Sequence, residues 1–187
     1  MKNAANFSDG KKLKKGDWYR KLQKKIGMAQ RANKKKRVKA LHAKAKNQRK
    51  DYLHKASTKL VQSSALIVCG DISSKAQVKT KNAKSVLDSG WGIFRTQLEY
   101  KAIGRRVVYM QVSERYSTQL CSCCKEIPGS SPKGRSQLRI REWTCDLCGT
   151  THDRDRNAAQ NILNTGKTIL AAGHTSKEDS GNVKIAA

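Results

Sequence analysis

Six cysteines and one acidic run carry the chemistry of this 187-residue sequence. Cys121-Ser122-Cys123-Cys124 and Cys145-Asp146-Leu147-Cys148 form two Cys-x-x-Cys knuckles with twenty residues between them. Thiolates at that spacing converge on a tetrahedral zinc ion, and four of them fill its coordination sphere, so the expected site is structural. Cys123 competes for the first knuckle, but only Cys121 and Cys124 have the two-residue gap. Gly149 supplies the turn that lets backbone amides approach the sulfurs. Shortly after comes His152-Asp153-Arg154-Asp155-Arg156-Asn157-Ala158-Ala159. His152 lies near the knuckles, yet four thiolates already complete the metal. Acidic residues at a helix start meet the macrodipole favourably, and Asp153 is placed to cap the first turn. The same carboxylates can hold a divalent cation, and the small residues after Asp155 would let the helix pack closely on a sheet. Asp71 and Glu114 each follow an apolar run that reads as a strand. Parallel neighbours lie about 4.8 Å apart, so two such carboxylates can share an ion. Paired ions about 3.5–4 Å apart are the usual clamp for phosphodiester hydrolysis. On spacing alone each of these acids also fits an ordinary strand end.

The elements that must position these groups follow from periodicity. Residues 1–16 are polar, glycine-punctuated and expected to be irregular. From 17 to 64 Trp18, Leu22, Ile26 and Ala29 recur at helical spacing, and Val38, Leu41, Ala45, Tyr52, Ala56 and Leu60 continue a thin apolar stripe. The cluster Arg31-Ala32-Asn33-Lys34-Lys35-Lys36-Arg37 predicts a bend and hence a long basic hairpin, with one continuous helix as the alternative. Ala65-Leu66-Ile67-Val68-Cys69 reads as a buried strand, 72–82 as a polar loop, and 83–103 as a helix weakened by Gly90 and Gly92. Residues 106–112 read as a second strand, joined to the first by a parallel crossover. The knuckle region fills 117–150, a final helix covers 151–165, and 166–187 are expected to be a disordered tail.

Composition names the partner. Forty Lys/Arg stand against fourteen Asp/Glu, a formal net charge of +26. Residues 1–60 hold 21 of those cations and three acids, Asp9, Asp17 and Asp51. Cations gain affinity for polyphosphates by counterion release, so the expected partner is nucleic acid. Membrane binding would need a broader apolar face, and no stretch is long and apolar enough for a span or a signal peptide. Paired knuckles mean metal rather than disulfides in a reducing compartment, which makes a cytoplasmic location the expectation.

These residues together resemble the carboxyl-terminal half of the TnpB (OrfB) family of insertion-sequence transposon proteins. The resemblance rests on 47–55 (Asn47-Gln48-Arg49-Lys50-Asp51-Tyr52-Leu53-His54-Lys55), Gly90-Trp91-Gly92, Leu98-Glu99-Tyr100-Lys101 and Tyr116-Ser117-Thr118-Gln119. It continues through both knuckles, Arg141-Glu142-Trp143-Thr144 and 152–159. It implies an α/β fold: a partial ribonuclease-H-like (RuvC-like) domain, 65–116, with the basic hairpin at 17–64 and an inserted zinc ribbon. It implies RNA-guided DNA cleavage, with DNA and a guide RNA as partners, a structural Zn2+ and a catalytic Mg2+ or Mn2+. The family's Asp-x-Asn-Ala-Ala motif maps onto Asp155. Its Ile-Val-x-Glu-Asp motif reads Ile67-Val68-Cys69-Gly70-Asp71, so the usual Glu position is Gly70. A subset of the family moves that Glu to the next strand, which selects Glu114 over Asp71 as the second metal ligand. Ser8-Asp9-Gly10 resembles the segment after the first catalytic strand. The expectation is therefore a truncated nuclease portion, active once a complementing polypeptide supplies that strand and its Asp. Alternatives are a non-catalytic zinc-ribbon protein that binds DNA or RNA, and a decayed transposase remnant.

Overall fold

The computed structural model describes residues 3–71, 83–134, 136, 137 and 139–173. The chain divides into two compact units that interleave along the sequence, one from 1–5, 13–65 and 73–107, the other from 6–12, 66–72 and 108–187.

Two short strands, β1 (Asn3–Asn6) and β2 (Lys12–Lys14), pair where an irregular segment was expected. Asn3-Ala4-Ala5-Asn6 carries no alternating apolar signal, and the pairing comes instead from a turn. Within it the Phe7 amide donates to Lys11 O, the Gly10 amide donates to Phe7 O, and Gly10 sits at φ +87°.

In the first unit α1 (Trp18–Arg31) and α2 (Lys35–Gln62) pack on each other, reversing at 32–34 inside the basic cluster. Asn33 takes the left-handed conformation there, at φ +51°. Ile26, Ala29 and Leu41 form the buried contact, flanked by Tyr19, Leu22 and Val38. The second half of α2 buries Leu53, Ser57 and Val61, one residue beyond the expected stripe of Tyr52, Ala56 and Leu60. The cause is a change of partner. α2 meets α1 with its first half and α4 (Trp91–Ile103) with its second. Steps of four residues rotate the contact face by about 40° each, since a turn takes 3.6 residues. The expected helix over 83–103 is two helices, α3 (Ala83–Ser89) and α4, separated by Gly90 at φ +69°. A Cβ at Gly90 would stand 2.6 Å from Leu53 Cδ1, so both the break and the close approach need glycine. Phe94, Leu98 and Ala102 are buried, whereas Leu87 and Tyr100 face solvent. Lys101 reaches back to α2, donating to His54 O, Ser57 Oγ and Thr58 Oγ1, each at 2.7 Å.

In the second unit β3 (Leu66–Gly70) and β4 (Val108–Val112) pair in parallel, with Leu66 opposite Val108 and Gly70 opposite Val112. A second, antiparallel pair, β5 (Glu142–Thr144) and β6 (Thr151–Asp153), sets Trp143 opposite His152. The last helix, α5 (Arg154–Ala171), packs on β3 and β4 and runs beyond the expected end at 165. Gly166, where the disordered tail was expected to begin, lies inside the helix. A Cβ there would come within 2.5 Å of Val68 Cγ2 and 2.9 Å of Met110 Sδ, so this glycine permits the close helix–sheet approach. The expected loop at 72–82 and the tail beyond 173 lie outside the described residues. No helix among the described residues is long and apolar enough to cross a membrane.

Candidate metal centre and carboxylate site

The two knuckles fold alike from unlike sequences. In the first, the Lys125 amide donates to Cys121 O and the Cys121 amide donates to Glu126 O; in the second, Gly149 donates to Cys145 O and Cys145 to Thr150 O. Both turns close on a left-handed residue, Lys125 at φ +66° and Gly149 at φ +70°. The Lys125 position is the one that sequence reasoning missed, because a lysine carries no signal for that conformation.

The four sulfurs of Cys121, Cys124, Cys145 and Cys148 lie within 4.8 Å of one another. Metal–sulfur bonds of about 2.3 Å in a tetrahedron imply sulfur–sulfur edges of about 3.8 Å. The Cys121–Cys148 edge measures 3.7 Å and the Cys124–Cys145 edge 3.8 Å. The donor set therefore fits a closed thiolate site for an ion such as zinc. Exposed Cys123 stands outside it. The sulfurs titrate unequally. The Thr150 hydroxyl and amide draw Cys148 down to about 6. Cys124 is favoured as thiolate by the Glu126 backbone, yet burial and three neighbouring sulfurs push it up to about 12. A cation at the centre removes that conflict, because a coordinated thiol is deprotonated outright.

His152 completes the surroundings. It is buried against Trp143, ring centroids 4.8 Å apart, and its Nε2 lies 3.0 Å from Cys121 Sγ. Burial holds the imidazole below its usual pKa, and in the tautomer that carries its proton on Nε2 the ring would donate to Cys121 Sγ, a bond that orients a ligand sulfur. Asn157 and Asn161, one turn apart on α5, tie the first knuckle to the helix. Asn157 Oδ1 accepts from the Ser122 amide at 2.9 Å, and the two Nδ2 groups donate to Leu120 O at 2.7 and 2.6 Å. Asn161 Nδ2 also donates to Ser117 O at 2.9 Å. The expected role of Asn157 as a small packing residue is thus replaced by a bridging one, and close packing falls to Gly166. The i, i+4 pairing of two asparagines was the available sequence signal for Asn161.

The predicted carboxylates fall at strand ends and at a helix start. Glu114 follows β4, and its side chain fills the space beside Gly70. A Cβ on Gly70 would stand 1.7 Å from Glu114 Oε1 and 2.2 Å from Cγ and Cδ. Asp71 braces this arrangement: its amide donates to Val112 O at 2.9 Å and its Oδ1 accepts from the Glu114 amide at 3.4 Å. Asp153 caps α5, with Oδ1 accepting from the Arg156 amide at 2.9 Å and Oδ2 pairing with Lys12 at 3.2 Å. Asp155, in the first turn, accepts from Asn6 Nδ2 at 3.2 Å and lies 3.5 Å from Arg141 Nη1. Neither Asn6 nor Arg141 was foreseen as its partner. Among the described residues the converging group of three or more metal-type ligands is the cysteine quartet; Glu114, Asp71 and Asp155 do not form another.

Sheet, helix and thiolate quartet together define an α/β protein carrying a four-cysteine cluster that could hold a metal. Residues 4–81 match the family model described as probable transposase, and 91–162 match the Cas12f1-like TNB domain. Over 152 residues the chain is 40% identical to a protein of Streptomyces pristinaespiralis named "Putative RNA-guided DNA endonuclease", covering 79% of this chain and 36% of that protein. InsQ of Escherichia coli K12, of the same description, is 31% identical over 197 residues, covering 90% of this chain and 48% of InsQ. TnpB-like protein L79 of Acanthamoeba polyphaga mimivirus is 30% identical over 134 residues, 67% of this chain and 24% of that protein. The chain thus spans between a quarter and half of the length of these relatives. Its fold matches a solved Cas12f1 in complex with sgRNA and target DNA at a TM-score of 0.61 and 17% identity, over 83% of this chain and 44% of that one. The chain belongs to the TnpB/OrfB family of insertion-sequence transposon proteins.

Proposed function

We propose that this chain is the nuclease-domain portion of an RNA-guided DNA endonuclease, acting on DNA with a guide RNA in the cytoplasm, with zinc held by Cys121, Cys124, Cys145 and Cys148. The working division is a basic hairpin at 17–64, a core at 65–116, the ribbon at 117–150 and the final helix after it. Glu114 and Asp155 are the divalent-metal ligands. The carrying observation is that the Glu114 carboxylate occupies the volume where a side chain on residue 70 would begin. A glutamate at either address delivers its charge to the same strand end.

Mg2+ or Mn2+ bound there would polarise the phosphate and lower the pKa of the attacking water. The protein's own part is orientation. Gly70 leaves room for Glu114, Asp71 holds its backbone, and Asn6 and Arg141 fix the rotamer of Asp155. Asp9, the acid in the turn between β1 and β2, pairs with Lys11 at 2.7 Å.

Mn2+ binding to the full chain, read by electron paramagnetic resonance, tests the two ligands. Glu114→Ala and Asp155→Ala each weaken binding at least tenfold, while the Gly70→Glu/Glu114→Gly double variant retains it. Unchanged Mn2+ affinity in the two single variants would reject the assignment. A second reading, a non-catalytic nucleic-acid binder, draws on the absence of a third converging carboxylate among the described residues. It requires steeply salt-dependent binding with no cutting under any metal condition.

A further inference from the structure

Between Glu114 and Cys121 the chain forms a strap pinned at both ends. At one end the Glu114 amide bonds Asp71 and the Ser117 amide donates to Glu114 O at 3.1 Å. At the other, Asn157 and Asn161 hold the carbonyls of Ser117 and Leu120. In the middle stands Tyr116 at φ +60°, its carbonyl accepting from the Gln119 and Leu120 amides at 2.8 and 2.9 Å. A left-handed backbone is unfavourable for a residue with a Cβ, and a turn needing only that backbone is served best by Gly or Asn. A bulky aromatic at this place brings a ring rather than a turn.

That ring is 49% exposed. The Arg115 guanidinium lies 4.9 Å from its centroid, and Arg115 Nη2 donates to the Tyr116 hydroxyl at 3.1 Å. Both polar handles are thereby spent on each other and not on the fold. The guanidinium lies over one face of the half-exposed tyrosine, and an aromatic ring paired with a planar cation can receive a nucleobase on its open side with the cation in reach of the phosphate. The base must already be unstacked to lie on the ring, which selects a single strand over a duplex.

We propose that Tyr116 and Arg115 seat one nucleotide of a single-stranded nucleic acid beside Glu114, the ring stacking on the base and the guanidinium holding the adjacent phosphate. The assignment rests on the reading of Glu114 as a metal ligand and adds the residues that present the strand to it.

The full chain is titrated with a labelled twelve-residue oligothymidylate and with an abasic strand of equal length. The intact protein prefers the base-bearing strand. Tyr116→Gly suits the positive φ, so its thermal midpoint is unchanged or raised, and it loses the preference, about a 5- to 150-fold effect for one stacked base. Tyr116→Phe keeps the preference, and Arg115→Ala flattens the log–log salt slope by about 0.7. Retention of the base preference in Tyr116→Gly, or its loss in Tyr116→Phe, overturns the proposal. Mn2+ binding in the same variants separates the two readings. Tyr116→Gly binds Mn2+ normally, whereas a Glu114→Ala protein that still binds Mn2+ defeats the metal assignment and leaves the base preference standing.

Discussion

Asp153 ends a strand and opens a helix. Its backbone is extended (φ −71°, ψ 121°) for pairing with β5, and its carboxylate takes the first free amide of α5. Burial works against the charge, yet the Arg156 amide and the Lys12 ammonium outweigh it and hold the pKa below 3.8. A carboxylate depressed in the folded state contributes stability that is complete above its unfolded pKa and fades as pH falls through the folded one. Asp153→Ala is therefore expected to cost about 1 kcal/mol at neutral pH, the usual worth of a cap, and progressively less as acidification protonates the carboxylate and the intact protein loses the same contribution. Urea unfolding at neutral and at acid pH checks this. The cap was legible in the sequence because an Asp three residues before a free amide is a local device. The left-handed Lys125 and Tyr116 were not legible, since each is tolerated only through hydrogen bonds made elsewhere on its turn.

At the scale of elements, α5 is the part that connects sheet and ribbon within the second unit. Gly166 lets it lie against Val68 and Met110, while Asn157 and Asn161 grip the loop before the first knuckle. Asn157→Ala leaves the Ser122 amide and part of the Leu120 carbonyl's bonding unanswered, which is expected to cost about 1–3 kcal/mol. Hydrogen exchange should show faster exchange at the amide of Ser122, with β3 protected as before; uniform loss across the sheet would argue against a local grip. Helix periodicity foretold that an amphipathic hairpin exists, but it could not say that α2 would change partners midway and turn its buried face by a residue. Nor could composition tell a stopping glycine from a packing one. Both distinctions are made by what lies opposite in space: Val68 at Gly166, Leu53 at Gly90.

At the scale of the molecule, the hydrophobic contribution is modest, 37% of residues, against a net charge of +26. Organisation of the second unit therefore leans on the thiolate quartet. Structural zinc is worth about 10 kcal/mol or more to small ribbons, so removing it with a strong chelator is expected to melt the environment of Trp143 while the helical signal of the basic hairpin persists. Cys121→Ser and Cys148→Ser lose the single bound zinc, and Cys123→Ser keeps it, as metal analysis of the purified variants would show. The knuckles were fully readable from spacing because metal geometry imposes it. The carboxylates were only half readable, because Glu114 gains its place from a missing side chain on another strand. That substitution of one address for another reaches beyond this chain. A column-by-column alignment scores position 70 as a lost charge, whereas a comparison of occupied volumes scores it as filled. Under the proposed assignment of Glu114, sorting relatives into intact and broken by the residue in that column would misfile a chain that carries its glutamate on the neighbouring strand.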